Sequence, residues 1–436
     1  MCVKINKKGR GENMSKQKTR VLKNGLKVYS LLNESAHSFY ISLYLCAGAL
    51  YEKEGERGIA HFYEHVAIRN VNSLMKGELY SVLDKYGLEF NASTFSEMVQ
   101  FYISGSVKHF AVAADILSKL FLPITLSGRE LSAERDRIRA EIREGGDRTS
   151  LANFSQGIVF EGTSLAYPIT GKAGDIGKMS VGALESFRQS CFTAENAFLY
   201  VTGKVADGDL ELLSDTLANT ALYDKLPRTN LAERPVSFGQ RSGDVYIKNA
   251  DFTKLRFNFD LDMSRITVPC IDLVYDQLLG GYNSKLFVEL SEKRGICYDL
   301  GGSVERYKNI GLFTFSFELK ASRIYEALTV VRDVLRELKT VELKVDECMK
   351  AGYVDNADML LDDPRELNFT YAYDNCIMEL GYNGTEDRKS AYKAITPKEL
   401  LAAANEIFTP RNLTLTMKGN KNKTDLSKIK EILSAL

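Results

Sequence analysis

The chain has 436 residues, 44% of them hydrophobic, with Lys+Arg and Asp+Glu balanced at 57 each. That size allows two or three domains with sizeable cores, and even charge without a long basic run advertises neither a nucleic-acid nor an anionic-membrane surface. No apolar run approaches transmembrane length, the start lacks a signal-peptide core, and seven scattered cysteines form no C-x-x-C pair; a cytoplasmic protein with reduced, packed thiols is the expectation.

In chain order, KKGRGENM (7–14) spells what a purine-rich ribosome-binding site would give if translated. Met14 is therefore the expected natural start, and residues 1–17 a disordered or non-native leader. TRVLKNGLKVYSL predicts a hairpin, with Asn24-Gly25 between alternating runs. FYISLYLCAG (39–48) reads as a strand, 58–68 as a helix, and KGELYSVLDKYG (76–87) as a second helix stopped by Gly87. The strands LEFNAS and MVQFYISG precede an amphipathic helix near 108–121, and a Ser127/Glu130 capping box opens a helix through ERDRIRAEIRE. A helix near 181–190, the strand AFLYVTG (197–203) and a helix near 208–219 complete the first half.

Residues 223–240, with two prolines and no clear period, read as a linker between domains at 18–222 and 241–436. The second half repeats the grammar of the first. Gly295 starts GICYDLGGS much as Gly87 starts GLEFNAS, followed by a strand (311–319) and an amphipathic helix (321–338). Two related α+β domains from an internal duplication are predicted, each an antiparallel-rich sheet packed on helices.

The chain has only four histidines, yet GIAHFYEH (58–65) sets His61 and His65 around Glu64. On a helix these three share one face, so two imidazoles can grip a transition metal while the carboxylate handles a proton. An accidental H-x-x-E-H is expected only about a few times per thousand such sequences. A third ligand is needed, and Glu134, Glu141 and Glu144 are candidates on one charged helix.

GIAHFYEH, the upstream AGALYEKEGERG, FNASTFSEMVQFY, ERDRIRAEI and LGGYNSKLFVELSEKRGICYDLGGS together resemble the M16 metallopeptidases, the pitrilysin and mitochondrial-processing-peptidase group. The likeness runs in consistent order over roughly residues 18–420. It implies a LuxS/MPP-like metallohydrolase fold forming half of a clamshell, in the small two-domain type that dimerises. It further implies Zn2+ held by His61, His65 and Glu141, with Glu64 as general base and Glu134 as the carboxylate steadying a histidine. Asn91, Ala92 and Thr94 would lie on an edge strand that pairs with a peptide substrate. Tyr298 would donate to the tetrahedral intermediate.

The implied function is zinc-dependent endopeptidase action on unfolded, leader or precursor peptides in a dimeric chamber. The alternative is a non-catalytic structural subunit of a heteromeric complex. Ser291 stands where the family has arginine, seven residues before Tyr298, and a family histidine is absent around Tyr167-Pro168. A homodimer and a heterodimer with a related M16 subunit are both open, and Ser291 favours the heterodimer.

Overall fold

A computed structural model describes residues 16–144, 150–223, 244–250, 252–281, 283–341 and 347–436. Met14, most of the expected leader and nearly all of the expected linker lie outside these residues. Lys16 and Gln17, assigned to the leader, join the fold: Lys16 bridges to Gly384, and the Gln17 N–H donates to the Asn383 carbonyl at 2.8 Å.

The first half builds a sheet from β1 (Lys18–Val21), β2 (Lys27–Leu32), β3 (Ser38–Leu45), β4 (Glu89–Thr94), β5 (Val99–Ser106) and β6 (Ala197–Gly203), ordered β1-β2-β6-β3-β5-β4. The expected hairpin joins β1 to β2, and Gly25 there takes a φ of +88°. Its helices are α1 (Ile59–Leu74), α2 (Leu79–Tyr86), α3 (Phe110–Ser118), α4 (Gly128–Glu144), α5 (Leu151–Val159), α6 (Ala173–Ile176), α7 (Val181–Cys191) and α8 (Asp209–Ala218).

The second half builds β7 (Asp244–Asn249), β8 (Thr253–Asp262), β9 (Leu300–Arg306), β10 (Ile310–Leu319) and β11 (Leu413–Gly419), ordered β7-β11-β8-β10-β9. With them come α9 (Val268–Leu279), α10 (Lys285–Phe287), α11 (Ile324–Thr340), α12 (Glu347–Met359), α13 (Pro364–Ala372), α14 (Thr385–Lys393), α15 (Pro397–Ile407) and α16 (Leu426–Ser434).

The duplication expected from sequence is visible in strand order. β2-β6-β3-β5-β4 superimposes in connectivity on β7-β11-β8-β10-β9, with β2–β6 and β7–β11 the parallel pairs and the other pairings antiparallel. Gly87 and Gly295 both take positive φ, +59° and +55°, just before the edge strands β4 and β9. The second copy adds a longer approach: β4 starts at Glu89, but β9 only at Leu300, leaving Tyr298 in the extra loop.

Each half covers the other's sheet. One face of the first sheet packs on residues of α1, α3, α4, α7 and α8 in a single apolar core. Its back face, with Tyr44, Phe198 and Tyr200, is covered by Leu367 and Tyr371 of α13 from the second half. Buried Asn368 satisfies the polar groups left there, accepting from Tyr44 OH at 2.9 Å and donating to the Tyr200 carbonyl at 2.8 Å. In return α5 lies on β8 and β11 of the second sheet, where Ser155 meets Thr416. A strand covered on both faces can be apolar throughout, which is why SFYISLYL of β3 lacks a polar-out alternation.

Two helix bounds differ from expectation. α1 runs on to Leu74 rather than ending at 68, because VAIRNVNS keeps burying Val66, Ala67, Asn70 and Val71. α2 starts at Leu79 rather than 76, since Lys76 and Gly77 take φ of +56° and +89° and form a left-handed turn.

Candidate metal centre

α1 opens at Gly58, whose φ of +95° strains any L side chain; a Cβ there would stand 2.9 Å from the Gly171 Cα. Glycine offers no side chain to cap the helix, and Glu52 does so from the preceding loop. Its carboxylate accepts the Gly58 N–H at 2.8 Å and the Ala60 N–H at 3.1 Å. Burial nonetheless pushes the Glu52 carboxyl up to about 7, the two backbone bonds offsetting only part of it.

α4 begins with the predicted capping box: the Ser127 N–H donates to Glu130 at 2.9 Å, and the Glu130 N–H to Ser127 Oγ at 3.3 Å. Leu131 and Ile138 anchor it in the first core. Glu134 and Glu141 then meet the histidines of α1. Nε2 of His61 and of His65 each lie 3.5 Å from a different oxygen of Glu141. The three donor atoms fall within 4.8 Å of one another, and among the described residues this is the one His/Cys/Asp/Glu group so arranged. Donors of a tetrahedral zinc, each about 2.0–2.1 Å from the ion, sit about 3.3 Å apart, close to the two 3.5 Å histidine–Glu141 separations, and two imidazoles with one carboxylate are a donor set that suits that metal. Burial first, and then His65, pull the pKa of His61 down to about 4, against the pull of Glu141. A neutral imidazole presents its lone pair.

Behind His65 stands Glu134, 2% exposed, with an oxygen 3.7 Å from His65 Nδ1. Arg137 at 3.2 Å and Arg69 at 3.6 Å flank its carboxylate. Burial works to raise this carboxyl, but His65 and the two guanidiniums prevail and hold it below the usual range. Glu144, the third candidate, is exposed at the end of α4 and outside the cluster.

Glu64 turns toward β4, where the Thr94 hydroxyl donates to its Oε2 at 2.5 Å. Burial raises the Glu64 pKa, and the Thr94 bond partly counters it. β4 is the edge of its sheet, with Asn91 exposed and Ala92 buried. Tyr298 is not brought to the cluster. It lies in the second half, 96% exposed, lining a cavity of about 750 Å³ with Ser291. With that exposure Tyr298 takes no part in a core. Arg294 is engaged by Glu289.

Sequence reasoning missed Glu52, Arg69 and Arg137. Arg69 is four residues after His65 and Arg137 three after Glu134, so helical spacing held a signal for both. The Glu52 cap depends on a loop path that spacing does not reveal.

Residues 27–173 match the family model described as Insulinase (Peptidase family M16), and residues 178–351 match that of the Peptidase M16 inactive domain. The chain belongs to peptidase family M16. Among its M16 relatives, an uncharacterized zinc protease, YmxG of Bacillus subtilis, is 21% identical over 319 residues, covering 72% of this chain and 77% of that one. The fold matches a solved protease from Helicobacter pylori with a TM-score of 0.79 at 18% identity, over 93% of this chain and all of that one. It also matches the periplasmic protease PqqL from Escherichia coli (TM-score 0.78, 15% identity), covering 96% of this chain but 50% of that one. One M16 chain of the present length thus has the fold of half of PqqL. No described helix is long and apolar enough to cross a membrane.

Proposed function

We propose that this M16 chain is the zinc-bearing half of a metalloendopeptidase that hydrolyses unfolded peptides, leader or precursor peptides among them, in a dimeric chamber. Residues 18–222 would form the peptidase domain and 241–436 the closing domain. The observation that carries this reading is the convergence of His61, His65 and Glu141, with Glu64 one helical turn away from His61 and on the same face.

When bound, zinc supplies the Lewis acidity that makes water a nucleophile near neutral pH. His61, His65 and Glu141 would hold it, and Glu134 would fix the His65 ring through Nδ1. Glu64 takes the proton of the attacking water and passes it to the leaving amine, with Thr94 orienting its carboxylate. The free edge of β4 gives an extended substrate backbone a strand to pair with, which a folded protein cannot offer. The fold's likeness to half of PqqL supports a pairing of two such halves. Ser291, which lacks arginine's charge and fork, supports a related subunit rather than a second copy as the partner that closes the site. Among the described residues the thiols of Cys191, Cys270, Cys297 and Cys376 form no disulfide, which supports a reducing, cytoplasmic setting.

The test is cleavage of a folded domain and of its unfolded fragments by the zinc-loaded chain, with and without any co-encoded M16 subunit. Cleavage of the fragments alone is expected, and Glu64→Gln should abolish it. Equal cleavage of both substrates contradicts the chamber.

A further inference from the structure

Away from the zinc cluster, the back face of the second sheet gathers more positive than negative side chains among the described residues. β8 places Lys254 and Arg256 there; Lys418 of β11 pairs in register with Lys254 on one side, and Glu318 of β10 on the other. With Phe252 and Ser150 they line a cavity of about 280 Å³. Three cations thus face one carboxylate, and among the described residues none of the four forms an ion pair.

Arg256 is the most exacting of them. Its guanidinium donates to Asn258 Oδ1 at 3.1 Å and Thr314 Oγ1 at 3.3 Å, both neutral acceptors. Burial pulls its pKa down, with only partial relief from Glu305. A half-buried cation whose described side-chain hydrogen bonds go to neutral acceptors, with only partial electrostatic relief from a carboxylate, gains from an anion that can enter beside it. The Lys418 ammonium rests 5.4 Å from the centre of the Phe252 ring, which holds it over the cavity without neutralising it. The start of α5 at Ser150 adds the positive end of a helix to the same space.

We propose that this cavity is an oxyanion-binding site, taking one phosphate or one carboxylate-bearing group. Its volume lies at the foot of the range for ligand pockets, about 300–1,000 Å³, which suits a single such group and excludes a whole nucleotide. The group can arrive as free phosphate or as a carboxylate of the peptide substrate. The second source rests on the peptidase reading. Ser150 follows Glu141 by nine residues (150 − 141), so the cavity wall stands at most about 31 Å of extended chain from the zinc cluster. A peptide of about ten residues spans that distance.

Inorganic phosphate titrated calorimetrically into the whole protein at fixed ionic strength tests the site, followed by Lys418→Gln and Lys254→Gln/Lys418→Gln. Saturable binding is expected, weakened about ten-fold or more in the double variant. Lys398→Gln/Lys423→Gln, the same charge change on exposed residues elsewhere, should bind as the parent does. No binding by the parent at tens of millimolar phosphate, or equal weakening in the control pair, overturns the proposal.

Peptides with a free C-terminal carboxylate and their amides, offered to Glu64→Gln protein, separate the two sources. Competition of phosphate with the free acid alone assigns the cavity to substrate; phosphate binding without competition assigns it to a free anion. Phosphate binding needs neither zinc nor hydrolysis, so its failure is distinct from failure of the peptidase reading.

Discussion

In each half one helix follows the first long central strand and packs toward the edge strand: α1 toward β4, α9 toward β9. In the second half that meeting is closed by ordinary contacts. Tyr275 OH of α9 donates to the Gly302 carbonyl at 2.8 Å, and Arg306 of β9 reaches Asp272 at 3.2 Å. In the first half the equivalent meeting sets Glu64 against Thr94 and leaves two imidazoles and the Glu141 carboxylate converging on one point. The segment that matches the inactive-domain model, residues 178–351, includes α9 and β9, whereas the His61, His65 and Glu141 cluster lies wholly within 27–173. The two halves share a scaffold, and on the proposed reading a handful of side chains decides which of them carries chemistry.

The contrast breaks most completely at Glu64. Glu64→Gln should lower kcat by about 10²- to 10⁴-fold while metal content stays unchanged, as a lost proton carrier requires. Steady-state kinetics beside metal analysis checks it, and normal cleavage by that variant would contradict the assigned role. Next comes Glu134→Gln, which removes no zinc donor but frees the back of His65. Zinc affinity should fall about 10- to 100-fold in chelator competition. An unchanged affinity would mean that Glu134 only packs.

Thr94→Val sharpens the comparison further. Losing a hydrogen bond to a charged group costs about 1.5–3 kcal/mol, so kcat should drop by about 10- to 100-fold, with zinc retained and Thr94→Ser recovering most of it. Tyr275→Phe, the matching deletion in the second half, should leave both zinc and kcat unaltered. Equal losses from the two would erase the distinction between the halves.

The smallest effect on catalysis is expected at Glu52, which caps α1 where α9 instead starts with Pro269 in its first turn. Its folded carboxyl titrates near 7, above the ordinary 4.5. The folded state therefore keeps a proton that the unfolded chain releases between these values. The stability this contributes is complete below pH 4.5 and lost as pH rises through 7. Glu52→Gln should flatten that decline in melting temperature across the window; an unchanged slope would show that Glu52 titrates normally.

Local chemistry explains what was legible in the sequence. The Asn24-Gly25 hairpin, the Ser127/Glu130 box and the strand Ala197–Gly203 each depend on neighbours in the chain, and each is present. The cluster was legible in part because His61, Glu64 and His65 share a helical face and Glu141 lies on another amphipathic helix. Choosing Glu141 over Glu134 and Glu144 from spacing alone was impossible, since that depends on how α4 crosses α1. The exchange of α5 and α13 was equally hidden. An internal polar residue such as Asn368 declares its purpose only when the back of a distant sheet, with the Tyr44 hydroxyl and the Tyr200 carbonyl, is brought against it.

Zinc content separates the two halves most directly. Purified protein and its His65→Ala, Glu141→Gln and Glu64→Gln variants should be dialysed together and counted by elemental mass spectrometry. About one zinc per chain is predicted for the parent and for Glu64→Gln, and almost none for His65→Ala or Glu141→Gln, as a three-ligand site in the first half requires. A full zinc complement in the His65→Ala and Glu141→Gln proteins would contradict it, because the metal would then reside somewhere other than the cluster of α1 and α4.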